Sequence, residues 1–324
     1  MVTIPNYDGH IWDADLKAVE IISELVRNGE VTISTNNEGG DNSELGLYRL
    51  LDCICDQLNI SKSKITILTR NQLESHNEYN IVKEGLYYQH YGKIFAMQNK
   101  LPVKNFDDIK HFGIFIGRSN WQRLWMAAHI YQKKEIATLS FHYDGTSDYH
   151  KSHLGFEELS HRIGSANAIE LTSDLLTHTP ICIDAVDSYP ILQPAHYAIS
   201  KIYHTFFLDV VCETYSMGKT FFATEKTWRP IVCLTPFILQ GPTNYLSNLK
   251  KLGFETFSKY WDEGYDQHDG MTRLHGMKNI IDQLSKKSTQ DLELMYNDMM
   301  PILEHNKSVL LHLTDEKLKA LHNE

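Results

Sequence analysis

The sequence predicts an α/β protein built as two open-sheet domains. Three observations carry this. Short apolar runs alternate with stretches whose apolar residues recur at helical spacing. Glycine and small polar residues punctuate the exits of several runs, as they do where an open α/β sheet receives a ligand. The chain has 324 residues, beyond the size at which one core keeps growing, so two domains are expected.

In the first half, residues 15–27 place Leu16, Val19, Ile21, Ile22, Leu25 and Val26 at helical spacing, an amphipathic helix. Residues 30–35 are a short strand, followed by the polar turn NNEGGDNSE, a strong helix over 45–58, and a strand over 64–69. The second cycle opens at 110 with HFGIFIG, a strand that runs out into Gly117-Arg118-Ser119-Asn120. A helix over 121–132, a strand over 136–142 and the helical SHLGFEELSHRIG follow. Residues 170–200, with Pro180, Pro190 and Pro194, read as loop-rich. Residues 205–215 are a buried strand ending near Glu213, and Thr224 is an N-cap for a short helix over 224–229. The apolar run 231–239, bounded by Pro230 and by Gly241-Pro242, reads as a buried strand. A helix over 245–252 and a wholly helical stretch over 271–324 complete the chain. The domain break is expected in LPVKNFDDIK, giving domains 1–108 and 109–324.

Composition narrows the function classes. The formal charge of −10 argues against a broad nucleic-acid-coating surface and leaves room only for a local basic cleft. No apolar run reaches the roughly 20 residues of a membrane span, and the N-terminus lacks the pattern of a signal peptide, so a cytoplasmic protein without membrane contact is expected. The cysteines are odd in number and none forms a CxxC pair, which reads as reduced core thiols without a disulfide framework or zinc site.

Three polar clusters at strand exits are the candidate chemistry. GRSNWQR places Arg118 after a strand and Arg123 one helical turn on; a guanidinium suits a forked grip on phosphate oxygens. CETYS places Glu213 where a carboxylate can accept hydrogen bonds from ribose hydroxyls. Thr224, Glu225, Lys226 and Arg229 open the helix before the apolar run, where the helix N-terminus itself favours an anion. The bland alternatives are a solvated Arg118, a helix-face Arg123, a strand-edge Glu213 and an i,i+4 pair of Glu225 with Arg229. Recurrence at three successive strand exits favours a nucleotide site.

These residues resemble a known family. FFATEKTWRPI…PFILQGP with the upstream CETYS resembles the donor-binding half of the α-1,3-fucosyltransferases, in which a FENS…DYVTEK run precedes a vPVVxG strand. It is closer still to fucosyltransferase-like proteins of phages and large viruses. Their EGP…GLYxLLD element is matched by EGGDNSELGLYRLLD, and their GFxTFxxxWDExYD element by residues 253–266. The resemblance assigns Glu213, Thr224, Glu225 and Lys226 to the donor, with Arg123, or else Arg118, on the diphosphate. Thr214 stands where the fucosyltransferases carry Asn, and Phe222 where they carry Tyr.

The resemblance implies a GT-B-like fold, two Rossmann-like domains facing a cleft with a helical C-terminal segment. It implies a glycosyltransferase that moves a sugar from a nucleotide-sugar donor to a hydroxyl acceptor, inverting and without metal or other cofactor. The acceptor is a glycan or, in a phage setting, a hydroxymethylated DNA base; a catalytically inactive glycan- or nucleotide-binding module is the non-enzymatic alternative. Such a transfer needs one carboxylate to take the acceptor proton while cations hold the leaving diphosphate. Glu38 is the candidate base and Asp41 the second, against the alternative that both cap the helix that follows. The loop HYDGTSDYHKSH offers His142, Asp144, Asp148, His150 and His153, at a spacing that fits no ligand pattern, so no metal is expected there.

Overall fold

Parallel strands dominate both halves of the computed structural model, which describes residues 1–4, 6–7, 10–11, 14–35, 39–85, 88–98, 103–142, 152–183 and 193–321. The first unit begins with β1 (Val2–Thr3), the short antiparallel pair β2 (Asn6–Tyr7) and β3 (His10–Ile11), α1 (Ala14–Asn28) and β4 (Val31–Ser34). α2 (Leu47–Leu58), β5 (Ile65–Thr69) and β6 (Asn80–Lys83) follow. Its sheet has the order β1-β4-β5-β6 with every pair parallel. In β4 and β5 buried and half-buried residues alternate, so one face carries the core. Ile33, Ile65 and Ile67 pack there with Ile21 and Leu25 of α1 and Leu47, Leu51 and Ile54 of α2.

The second unit contains α3 (Tyr88–Gln98), β7 (Lys110–Ile116), α4 (Trp121–Tyr131), β8 (Ala137–Phe141), α5 (Ser152–Ile163) and α6 (Ser165–Thr177). A 3-10 stretch (Gln193–Thr205) then leads into β9 (Phe206–Cys212), α7 (Glu225–Val232), β10 (Phe237–Gln240) and α8 (Tyr245–Lys251). α9 (Gly270–Leu284) and α10 (Thr289–His312) complete it. The sheet order is β10-β9-β7-β8, again all parallel. α4 packs with α5, α6 and α9, whereas α7 packs with α3, α10 and the 3-10 stretch. Two helical groups therefore cover the two faces of the sheet. Every residue of β9, and every residue of β7 after Lys110, is buried as a result.

The compact units are Met1–Tyr87 with Met217–Phe222 and Leu313–Glu324, and Tyr88–Ser216 with Ala223–His312. The division falls ahead of the expected 108/109 because α3 packs on α7 and α10 of the second unit. Two later segments also return to the first unit. In Met217–Phe222, Asn71 donates to Lys219 O at 2.9 Å and accepts from Phe221 N at 3.1 Å, and the Thr220 hydroxyl donates to Gly39 O. The other return carries α11 (Asp315–Lys319), beyond which Lys83 Nζ donates to Leu321 O at 2.9 Å. The expected continuous domain 109–324, α/β with a helical tail, is thus divided between the units.

Other expectations need correction. The apolar run 231–239 is not one strand: Ile231 and Val232 end α7, Leu234 turns the chain at φ 50°, and only Phe237–Gln240 is β10. Pro230 reads as a boundary ahead of a strand, yet it lies inside α7, which runs from Glu225 to Val232 with almost every residue buried. The loop-rich reading of 170–200 missed the second half of α6, since the prolines that suggested it stand beyond that helix. Cys53 and Cys182 are exposed, not core thiols. Among the described residues no helix is long and apolar enough to cross a membrane.

Gly113 shows how tightly the second sheet is packed. A Cβ there would stand 2.6 Å from ring carbons of Phe206, itself fully buried against Phe115 and Tyr203. Gly113→Ala should lower stability by about 1–3 kcal/mol, the usual penalty of overpacking, read as an earlier midpoint in urea unfolding.

Candidate functional site

The second sheet has a point where its strand order reverses. β7 leads through α4 to β8 on one side, while β9, the neighbour on the other side, leads through α7 to β10. The crevice beyond the carboxyl ends of such strands is where doubly wound sheets bind ligands. Two of the helices that start there, α4 and α7, bring partly positive N-termini to the same edge.

Arg123 ties this edge together. It lies on the first turn of α4, whose N-cap is Asn120; the Asn120 side chain accepts from Arg123 N at 2.9 Å. Its buried guanidinium donates to Arg118 O at 2.7 Å, to Glu213 O at 2.5 Å and to Cys212 O at 3.4 Å. One cation thus bridges the exits of β7 and β9 through backbone dipoles. Arg118 is half-buried beside it.

Glu213 has a different task from the one expected. Its Oε1 accepts from Thr227 Oγ1 at 2.5 Å, Thr224 N at 3.1 Å and Tyr245 OH at 3.2 Å. Its Oε2 accepts from Thr224 Oγ1 at 2.7 Å and Thr214 N at 3.2 Å. A carboxylate has about four lone-pair directions, and protein donors occupy them. Glu213 therefore fastens the strand exit to the start of α7, and a ribose hydroxyl finds no vacancy on it.

Thr224 is the N-cap of α7, its hydroxyl accepting from Lys226 N at 3.3 Å. Lys226 Nζ sits 2.8 Å from Glu225 Oε1 and 3.4 Å from Thr214 Oγ1. Of that ion pair, Lys226 keeps 19% of its side chain exposed and Glu225 only 5%. Lys226 is thus the more accessible member of the pair. Arg229 packs against the strands of the sheet. One turn further along α7 it lies buried over the Phe115 ring, 6.0 Å from the centroid, and acts on the charge of Asp209 in mid-β9.

Asp209 itself was not foreseen. It is buried, accepts from Tyr203 OH at 2.7 Å, and burial pushes its carboxyl up to about 6 although Arg229, Tyr203 and Lys104 pull it down. An acid hidden in a seven-residue apolar strand is a sequence signal that was available. Tyr245 and Thr227, the further partners of Glu213, carried none.

In the first unit, Glu38 lies outside the described residues. Asp41 is committed to backbone: Oδ1 accepts from Ser43 N at 2.9 Å and Glu44 N at 3.2 Å, and Oδ2 from Lys219 N at 2.6 Å. Gly218 allows this approach, with φ at 76° and a position where a Cβ would come 2.8 Å from that of Asp41. Asp41 is accordingly a staple of the turn before α2, which removes it as a free base. A second carboxylate at this sheet edge, Glu74, is buried and accepts from Tyr48 OH at 2.5 Å, Asn42 Nδ2 at 3.1 Å and Asn71 Nδ2 at 3.2 Å. Burial pushes its carboxyl above the usual range.

Of the 142–153 loop, Asp144, Asp148 and His150 lie outside the described residues, as does the side chain of His153. Among the described residues no group of three or more His, Cys, Asp or Glu is arranged to hold a metal ion. The residues 253–266 form a staple: Glu263 accepts from Thr256 Oγ1 at 2.6 Å and Phe257 N at 2.7 Å. Asp266 holds Leu246 N at 3.0 Å and the buried Arg273 at 2.8 Å. No family model matches the sequence, and no curated protein matches it.

Two outcomes are expected. Glu213→Gln should cost about 1.5–3 kcal/mol of unfolding free energy, because an amide cannot accept at every position the carboxylate fills and hydrogen bonds to charge are the stronger kind; chemical denaturation measures it. Asp209 should make stability pH-dependent. Its folded value lies above the unfolded value of about 3.9, so its contribution is fully present below pH 4 and is lost as pH rises through 6, roughly 3 kcal/mol in all. Asp209→Asn should flatten the stability profile between pH 4 and 7 relative to the parent chain.

Proposed function

We propose that this protein is a nucleotide-sugar-dependent glycosyltransferase of GT-B-like architecture, with the donor diphosphate at the carboxyl edge of the second sheet. The observation that carries the reading is the cation-lined reversal of strand order. Lys226 stands at the N-terminus of α7 with its ammonium the exposed member of a pair, and Arg118 and Arg123 stand at the start of α4. The resemblance of CETYS and TEK to the fucosyltransferase donor half supports the same placement.

On this reading Lys226 and Arg118 meet the diphosphate, and Arg123 positions the two strand exits that present them. Glu225 orients Lys226. In the reaction an acceptor hydroxyl oxygen bonds to the anomeric carbon as the bond from that carbon to the phosphate oxygen breaks. The hydroxyl proton passes to a carboxylate, and the negative charge gathering on the departing nucleotide is met by fixed cations and helix N-termini. With Asp41 occupied, Glu38 is the base of choice. Cations supplied by side chains make a metal unnecessary. The acceptor is a hydroxyl of a glycan; transfer to hydroxymethylated DNA in its place would show in the same product assay.

Lys226→Ala removes a charge-assisted contact worth about 1.5–3 kcal/mol, so donor affinity should fall roughly 10- to 150-fold. Calorimetric titration with nucleoside diphosphates and their sugar conjugates measures this, and unchanged affinity would remove the donor site from this edge. Glu38→Gln should leave donor affinity intact and slow transfer by about 10²- to 10⁴-fold, followed by product mass. Transfer should persist in EDTA.

A further inference from the structure

Beside β8 the second unit places a thiol against an imidazole. Phe141, the last residue of β8, donates to Ile181 O at 2.8 Å and accepts from Ile181 N at 3.0 Å, an isolated antiparallel bridge. His142, the next residue, donates its amide to Ile116 O at 3.0 Å at the end of β7. Both chains are thereby fixed, and Cys182, which follows Ile181, is set beside His142. Cys182 Sγ lies 3.4 Å from His142 Nδ1, and His142 Nε2 lies 3.2 Å from Ser140 Oγ. Ser140 Oγ in turn lies 3.3 Å from Ile181 O.

The direction of these bonds follows from what each atom can do. A carbonyl only accepts, so the Ser140 hydroxyl donates to Ile181 O and offers a lone pair to the ring. With Nε2 donating to Ser140 Oγ, His142 Nδ1 turns its lone pair to the thiol. Nucleophile, base and the group that sets the base's tautomer stand in sequence, the arrangement that activates a weak nucleophile.

We propose that Cys182 is a reactive thiol, activated by His142, that exchanges with low-molecular-weight disulfides. His142 Nδ1 takes the thiol proton, and the Cys182 thiolate attacks one sulfur of the small disulfide. The new sulfur–sulfur bond forms as the old one breaks, and the departing thiolate leaves as a thiol with the proton returned by His142. No net oxidant beyond the disulfide is consumed. The other cysteines give the contrast. Cys55, Cys212 and Cys233 are buried, and burial pushes the thiols of Cys212 and Cys233 up to about 12. Cys53 is exposed on α2 with no hydrogen-bonded histidine among the described residues. It is a built-in reference for an ordinary accessible thiol. This reactivity does not depend on sugar transfer.

The test treats the full chain at pH 7 with oxidised glutathione, and separately with iodoacetamide, and follows each cysteine by peptide mass. Cys182 should react at least about tenfold faster than Cys53, as a thiol with a basic partner does. His142→Gln should bring Cys182 down to the Cys53 rate and leave Cys53 unchanged. Equal rates for the two cysteines in the parent chain, or a Cys182 rate indifferent to His142→Gln, would overturn the proposal. Should that variant fail to fold, the ratio in the parent chain decides alone.

Discussion

The carboxylate of Glu213 is the interaction on which the second unit's edge depends. It collects donors from Thr214, just past β9, from Thr224 and Thr227 at the start of α7, and from Tyr245 at the start of α8. Leaving a buried carboxylate without such donors is among the more expensive arrangements in a protein interior. Here the donors come from three separate segments, so satisfying the charge also assembles the edge. The cap of α7, the direction in which Lys226 emerges and the approach of α8 all follow from it.

Arg123 performs the complementary operation with the opposite sign. Its guanidinium gathers carbonyls from the exits of β7 and β9, as the carboxylate gathers N–H and O–H groups. Carbonyls at strand ends have no further strand to receive them, and a planar fork of donors meets several at once. Together the two side chains satisfy polar groups at the exits of two parallel strands. Lys226 differs from both in keeping its head partly in solvent. Arg229 differs because α7 runs back along the sheet from this edge, and one helical turn carries it down beside Asp209 in mid-strand.

Much of the fold was legible because its elements are locally patterned. The alternation in β4 and β5 and the helical spacing in α2 name their own faces, and Thr224 reads as a cap from its position before Glu225. Helix α1 carries apolar residues on more than one face, with Ile21 and Leu25 buried and Leu16, Val19 and Val26 exposed. What was not legible is what charge partners do across long separations. Asp41 reads as a free acid until Lys219, 178 positions away in sequence, donates its amide to it. Glu213 reads as a ligand group until Tyr245, 32 positions on, reaches it. Residue type announces that a charge must be satisfied, and only the fold decides whether protein or ligand satisfies it. Helix α7 departs from expectation for a different reason: it continues through Pro230, the residue that reads as its end.

The excursion of Met217–Phe222 into the first unit gives Glu213 its larger meaning. The chain leaves the second unit after Ser216 and re-enters at Ala223, so the stem of the excursion is bounded by Thr214 on one side and Thr224 on the other. One carboxylate accepts from the backbone amides of both. The stem is therefore closed within the second unit by its own hydrogen bonds, while the tip is held within the first by Asp41, Asn71 and Gly39. Each end is satisfied locally. The cap of α7 is thus set by hydrogen bonds to Glu213 that lie wholly within the second unit. Lys226 is held at the head of α7 by that same cap, through Thr224, which accepts from its amide and lies beside its ammonium.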